Sequence, residues 1–140
     1  MRGRDDPPGP TTRFLGHAGE AAAVRFLKRR GYVVLARNLR SRLGEVDLLV
    51  RDGSTLVFVE VKARRGVAGD PPEAAVTARK RLRLVRIALG YLAGRRLGEQ
   101  RCRFDVVGVS LDAAGRVTDV RHLRHAVSYT HLTLPTNREV

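Results

Sequence analysis

Gly44-Glu45-Val46-Asp47-Leu48-Leu49-Val50 and Leu56-Val57-Phe58-Val59-Glu60-Val61-Lys62 are two apolar runs separated by Asp52-Gly53-Ser54. Short runs rich in β-branched residues, broken by a polar Gly-containing turn, predict a β-hairpin. Asp47 and Glu60 lie 60 − 47 = 13 positions apart. An even-length loop pairs odd-numbered residues of one strand with even-numbered residues of the other, so these two acids are expected on one face. Directly opposite residues have Cβ atoms about 4.5–5.5 Å apart. Lys62 and Glu45, each two residues from one of the acids, join them by the period of a strand. The other face is expected to carry Val46, Leu48 and Val50 against Val57, Val59 and Val61. Leu49, Leu56 and Phe58 share the acidic face nearer the turn, which makes the hairpin apolar on both sides. It therefore reads as part of an α/β sandwich with the acids at the open end of a buried sheet.

Crowded carboxylates repel unless something positive lies between them. One lysine answers this in part, and a divalent cation answers it better. The competing explanation is a structural ion-pair network, which perturbs the same residue types.

The formal charge of +13 and a pI near 11.4 point to a polyanionic partner, nucleic acid or an anionic membrane surface. No apolar run approaches the roughly 18 residues of a membrane span. Met1 to Pro10 has no apolar signal-peptide region, so a cytoplasmic location is expected. The single cysteine, Cys102, allows no internal disulfide, and no Cys/His spacing suits zinc. Lys28, Lys62 and Lys80 are the only lysines among 27 basic residues. A lysine beside the acids is thus notable, because an ammonium is a compact point charge whose pKa responds to its surroundings, as a guanidinium's does not.

Residues 1–13, rich in Pro, Gly and charge, are expected to be disordered, and 14–127 to form one domain. A helix is predicted from Phe14 to Arg30 through Leu15, Ala18, Ala22, Phe26 and Leu27, ending at Gly31. A strand follows over Tyr32–Asn38, then the hairpin. Asp70-Pro71-Pro72-Glu73 has the pattern of a helix start. The helix it opens runs to about Ala93, with Ala78, Leu82, Val85, Leu89 and Leu92 as its apolar stripe. Strands over Cys102–Leu111 and Val117–Leu123 complete an αβββαββ order. Ser128 to Val140 departs in composition from all that precedes it, looks like translated adapter read-through, and is set aside as a non-native tail.

Gly16-His17-Ala18-Gly19-Glu20, Arg37-Asn38, Gly44-Glu45-Val46-Asp47-Leu48, Phe58-Val59-Glu60-Val61-Lys62 and Phe104-Asp105-Val106-Val107 resemble, in order, the YraN family of small bacterial proteins. Asp47, Glu60 and Lys62 also fit the D-x(n)-E-x-K pattern of restriction-endonuclease-like nucleases, and the similarity extends distantly to archaeal Holliday-junction resolvases. The resemblance covers about Phe14 to Val127. Val46 stands where the wider superfamily often has proline. The resemblance implies a restriction-endonuclease-like mixed sheet with helices on both faces and a Mg²⁺ (or Mn²⁺) site. Asp47, Glu60 and the Val61 carbonyl would be its ligands, Lys62 would act on the attacking water, and Glu20 would complete the site. Mg²⁺ binds through one or two carboxylates and keeps its waters, as phosphodiester hydrolysis requires.

Arg64, Arg65, Arg79, Lys80, Arg81, Arg83 and Arg86 are the expected phosphate-contacting surface. Few aromatics and no Trp argue against a base-stacking surface for single strands, so duplex or branched DNA is the expected partner. The leading reading is a metal-dependent DNA endonuclease. The alternative is a non-catalytic DNA-binding accessory protein of the same fold. A membrane-surface role has only net charge behind it, and homodimer formation is left open.

Overall fold

The computed structural model describes residues 12–66, 78–95 and 100–127. They form α1 (Thr12–Arg29), β1 (Val33–Ser41), β2 (Gly44–Asp52), β3 (Thr55–Arg65), α2 (Ala78–Gly94), β4 (Cys102–Leu111) and β5 (Val117–Val127). The five strands make one sheet in the order β1-β2-β3-β4-β5. Neighbours are antiparallel except β3 and β4, which are parallel. A parallel neighbour needs a crossover, and α2 lies on that connection. The α/β class, the mixed sheet and the αβββαββ order agree with the sequence reading. Asp70–Glu73 and Ser128–Val140 lie outside the described residues, as do residues 1–11. Among the described residues no helix is long and apolar enough to cross a membrane.

α1 ends where sequence chemistry dictates. Gly31 has φ +88°, the Gly31 N–H donates to the Lys28 carbonyl at 3.0 Å, and the Tyr32 N–H donates to the Leu27 carbonyl at 3.1 Å. This Schellman closure satisfies the last carbonyls of the helix and turns the chain into β1. One face of α1 buries Ala22, Ala23, Val24 and Leu27 on Leu48, Val50, Val57, Val59, Val107 and Val109 of the sheet. The closest approach is at Gly19, where a Cβ would come within 2.7 Å of the Ala63 Cβ. Only glycine fits there without displacing α1, and the neighbouring Glu20 is delivered to β3 by that contact.

α2 covers the opposite face, placing Leu84, Ile87, Ala88 and Leu92 against Val46, Leu49, Leu56, Phe58, Cys102 and Phe104. This corrects the predicted stripe: Leu82 is 52% exposed, and Val85 and Leu89 sit only partly buried at its margin. α2 is apolar over a wide arc with two interleaved stripes, and docking on the sheet decides which one turns inward.

A buried polar network fastens β4 to the C-terminal end of α1, to β5 and to the β2–β3 turn. Arg103 donates through Nε and Nη2 to Asp105 at 2.9 and 3.1 Å, through Nη1 to Asp52 at 2.9 Å, and through Nη2 to the Tyr32 hydroxyl at 2.7 Å. His122 Nε2 lies 2.7 Å from Asp105 Oδ2, and its ring meets Phe26 and Tyr32 edge-on. A hydrogen on Nε2 serves that carboxylate, which leaves Nδ1 as a buried acceptor with no partner among the described residues. Burial alone would lower the Arg103 pKa, but hydrogen bonds to Asp105 and Asp52 outweigh it and raise it. A guanidinium and carboxylate removed from water are tolerable only together. Asp105→Asn should therefore cost about 3–5 kcal/mol by leaving Arg103 undercompensated. Urea unfolding at neutral pH measures it, and a loss as small as that of an exposed pair, below about 1 kcal/mol, would rule out this role.

Candidate functional site

The sheet is interrupted where β1, β2 and β3 should run in step. β1 pairs with β2 at Arg37–Leu48 and again at Leu39–Val46, but Asn38 and Asp47 between them are unpaired. Asn38 adopts φ +53°, a left-handed conformation that Asn tolerates better than most residues. β2 and β3 pair from Asp52–Thr55 to Leu48–Val59, and the pairing ends there. Asp47 replaces the lost ladder bond with its side chain, since Oδ2 accepts the Val61 N–H at 2.7 Å. Its carboxylate therefore lies in the seam between the strands rather than on one sheet face as expected. The same irregularity turns Val46 over, so that it packs beside Leu49 and Phe58 under α2 and not with Leu48.

Around this seam the structure gathers most of the acids that the motif contains. Asp47 experiences both Glu60 and Glu20. Glu60 is nearly buried, and its Oε2 lies 3.4 Å from Lys62 Nζ. Glu20 arrives from α1, with Oε1 accepting from Asn38 Nδ2 at 3.3 Å. Glu45 does not join: it pairs with Arg40 at 3.3 Å on the exposed edge, because the irregularity at Asn38 and Asp47 breaks the simple alternation. Asn38 is the residue whose part sequence reasoning missed. A polar amide inside an otherwise strand-like run was its only local sign.

Burial first, then the Glu60 charge, pushes Asp47 from 3.8 up to about 6. The Val61 N–H pulls it the other way, while the Glu20 charge and a hydrogen bond with Glu60 add to the rise. The Glu60 charge opposes ionisation of Asp47, and a cation would relieve the same repulsion. Among the described residues no three His, Cys, Asp or Glu side chains form a ready-made metal cage. The oxygens gathered here are carboxylate oxygens, hard donors of the kind Mg²⁺ takes.

The basic residues divide between two places. Arg64, half-buried, and Arg65, exposed, continue β3 beyond Lys62. Arg83 and Arg86 are exposed on α2. Arg79, Lys80 and Arg81 belong to the first turns of α2, and their side chains lie outside the described residues.

The Asp47 shift has a thermodynamic consequence. The folded protein holds this proton more tightly than the unfolded chain does. The stability it contributes is complete below about pH 3.8 and is lost as pH rises through about 6. Asp47→Asn keeps an oxygen for the Val61 N–H and removes the charge. In metal-free buffer near pH 8 the variant should be more stable by about 1–2 kcal/mol, reduced by solvent screening at this part-exposed site. That corresponds to a Tm higher by about 3–6 °C, a gap that should close near pH 4. A variant melting below wild type at the higher pH would contradict this account of the seam.

Comparison with known proteins agrees with the motif pattern. Residues 19–109, more than half of the chain, match the Uncharacterised protein family UPF0102. A UPF0102 protein of Symbiobacterium thermophilum is 53% identical over 108 residues, covering 76% of this chain and 90% of its relative. One from Geotalea uraniireducens is 46% identical over 112 residues, covering 80% and 87%. One from Moorella thermoacetica is 45% identical over 116 residues, covering 83% and 97%. The matched span runs from the Gly19 contact through the seam of Asp47 and Glu60 to the β4 strand beside them, and on this basis the chain belongs to the UPF0102 (YraN) family.

Proposed function

We propose that this protein is a DNA endonuclease dependent on Mg²⁺ or Mn²⁺, acting in the cytoplasm on duplex or branched DNA. The observation that carries the reading is the seam itself, where Asp47 and Glu60 crowd together beside Lys62 in a chain of net charge +13. A bound divalent cation, held by Asp47, Glu60 and the Val61 carbonyl, would neutralise phosphate charge and acidify a coordinated water. The protein's own groups do the rest. Asp47 is oriented by the Val61 N–H, so one of its oxygens has a defined direction. Glu60 holds Lys62, whose ammonium would orient the attacking water and balance charge developing on the phosphate. Glu20, steadied by Asn38, borders the same space and would position water from the α1 side.

Arg64, Arg65, Arg79, Lys80, Arg83 and Arg86 would hold the phosphate backbone. These contacts position DNA without reading its sequence. A second reading, a DNA-binding protein without catalysis, is favoured by the absence of a three-carboxylate cage among the described residues.

Thermal shift and cleavage separate the two readings. Mg²⁺ or Mn²⁺ should raise the Tm of wild type and not that of Asp47→Asn. Wild type should cut at least one of linear duplex, flap and four-way-junction DNA in metal but not in EDTA, and Asp47→Asn and Lys62→Ala should abolish cutting. Equal metal responses of wild type and Asp47→Asn, with no cutting of any substrate, would leave only the accessory reading. Binding has its own signature: log affinity should fall linearly with log salt, by roughly 0.9 per phosphate neutralised. Replacing Arg79, Arg83 and Arg86 together by Ala should lower that slope by about 3. An unchanged slope would make the α2 arginines a solvated surface.

A further inference from the structure

Beyond the seam, an open cleft of about 410 Å³ lies between the β1–β2 turn and the second half of α2. Its floor is apolar, from Leu39, Leu43, Ile87 and Tyr91, and its rim carries Arg42, Arg95 and Arg40, the last paired with Glu45, with no carboxylate in the lining among the described residues. The size falls in the range that takes a small organic ligand. The Arg95 guanidinium lies 3.8 Å over the Tyr91 ring, forming a flat stack that opens to solvent at Arg95. An apolar floor, a planar stack and a guanidinium rim together suit an anion with a flat apolar part, which is the chemistry of a nucleotide.

The cleft neighbours the seam along the chain and across the sheet. Tyr91 meets Phe58 edge-on, with ring centroids 5.9 Å apart. Glu60 is two residues further along β3, about 7 Å away on the same side of the strand. At the cleft's other wall, Leu39 follows Asn38 and pairs with Val46, the residue before Asp47. A strand whose phosphate rests at Asp47 and Glu60 has a neighbouring nucleotide within reach of the cleft.

We infer that this cleft receives an unpaired nucleotide of the DNA strand that passes Asp47 and Glu60, its base stacking on Arg95 and Tyr91 and its phosphates meeting Arg40 and Arg42. The inference rests on the nucleic-acid reading above and adds a selectivity to it: DNA with unpaired nucleotides is preferred over fully paired duplex. A base inside a duplex is already stacked and cannot enter, whereas one at a branch, flap or frayed end enters without breaking pairs.

The test is made in EDTA, so that it does not depend on catalysis. Fluorescence anisotropy compares a blunt duplex with the same duplex carrying a short single-stranded overhang, and 2-aminopurine in the overhang reports stacking. Wild type should bind the overhang duplex about tenfold more tightly and quench the 2-aminopurine. Arg95→Gln with Arg42→Gln should remove most of that preference and the quenching, and change blunt-duplex affinity much less. Both residues are exposed, so the folded state is retained. Tyr91→Leu, which keeps bulk against Phe58, should reduce the quenching as well. Equal affinity of wild type for the two duplexes, or a preference the variants leave intact, would overturn the cleft and leave the endonuclease reading standing. Failure to bind either DNA at low salt would overturn both.

Discussion

A hydrogen bond from the Val61 N–H to the Asp47 carboxylate holds open the sheet on which the candidate site depends. An ordinary ladder would have zipped β2 to β3 through this region and sent Asp47 out on one face. Instead the pairing stops at Leu48–Val59, and a side chain takes the donor that the strand no longer uses. A buried backbone N–H must be satisfied, so the gap is stable only because a carboxylate is there to accept. The left-handed Asn38 opposite is the other half of the same arrangement, and its amide reaches across to Glu20. Backbone irregularity and site chemistry are therefore one feature.

The rest of the molecule keeps that gap from closing. α1 approaches β3 so closely at Gly19 that Glu20 can only lie beside the seam. On the α1 side the Arg103–Asp105–His122 network ties β4, β5, the end of α1 and the β2–β3 turn into one rigid unit, by groups whose separation would strand buried charge. A rigid surround is what allows carboxylates to remain close enough for one to be pushed up to about 6. In a softer framework they would move apart and be hydrated.

Charge is organised by the same layering. Asp47, Glu60 and Glu20 meet at the seam, while exposed Arg83 and Arg86 on α2, Arg42 in the β1–β2 turn and Arg65 at the end of β3 lie elsewhere on the surface. A polyanion attracted by the long-range field would meet the arginines first and the carboxylates last.

Much of this was legible in the sequence, for definite reasons. Hydrophobic alternation, Gly31 as a helix stop and Gly53 in a turn were enough for the order of elements, because those signals are local. The association of Asp47, Glu60 and Lys62 followed from strand periodicity and the length of one hairpin, and Glu20 came from the family resemblance. Chain-local rules could not give the direction in which Asp47 points, the loss of Glu45 to Arg40 or the transfer of Val46 to the α2 side. All three follow from a break in pairing across three strands, and strand registry is a property of neighbours. The inward stripe of α2 was misassigned for a related reason: two apolar stripes were available, and only docking on the sheet chose Leu84, Ile87 and Leu92 over Leu82. Arg103, Tyr32 and His122 are scattered over 91 positions of chain, and nothing in their local context marks them as partners. The sequence alone determined which elements form and which acids can meet. The tertiary structure decided which of them do meet, because burial and hydrogen-bond satisfaction are settled only when distant segments pack.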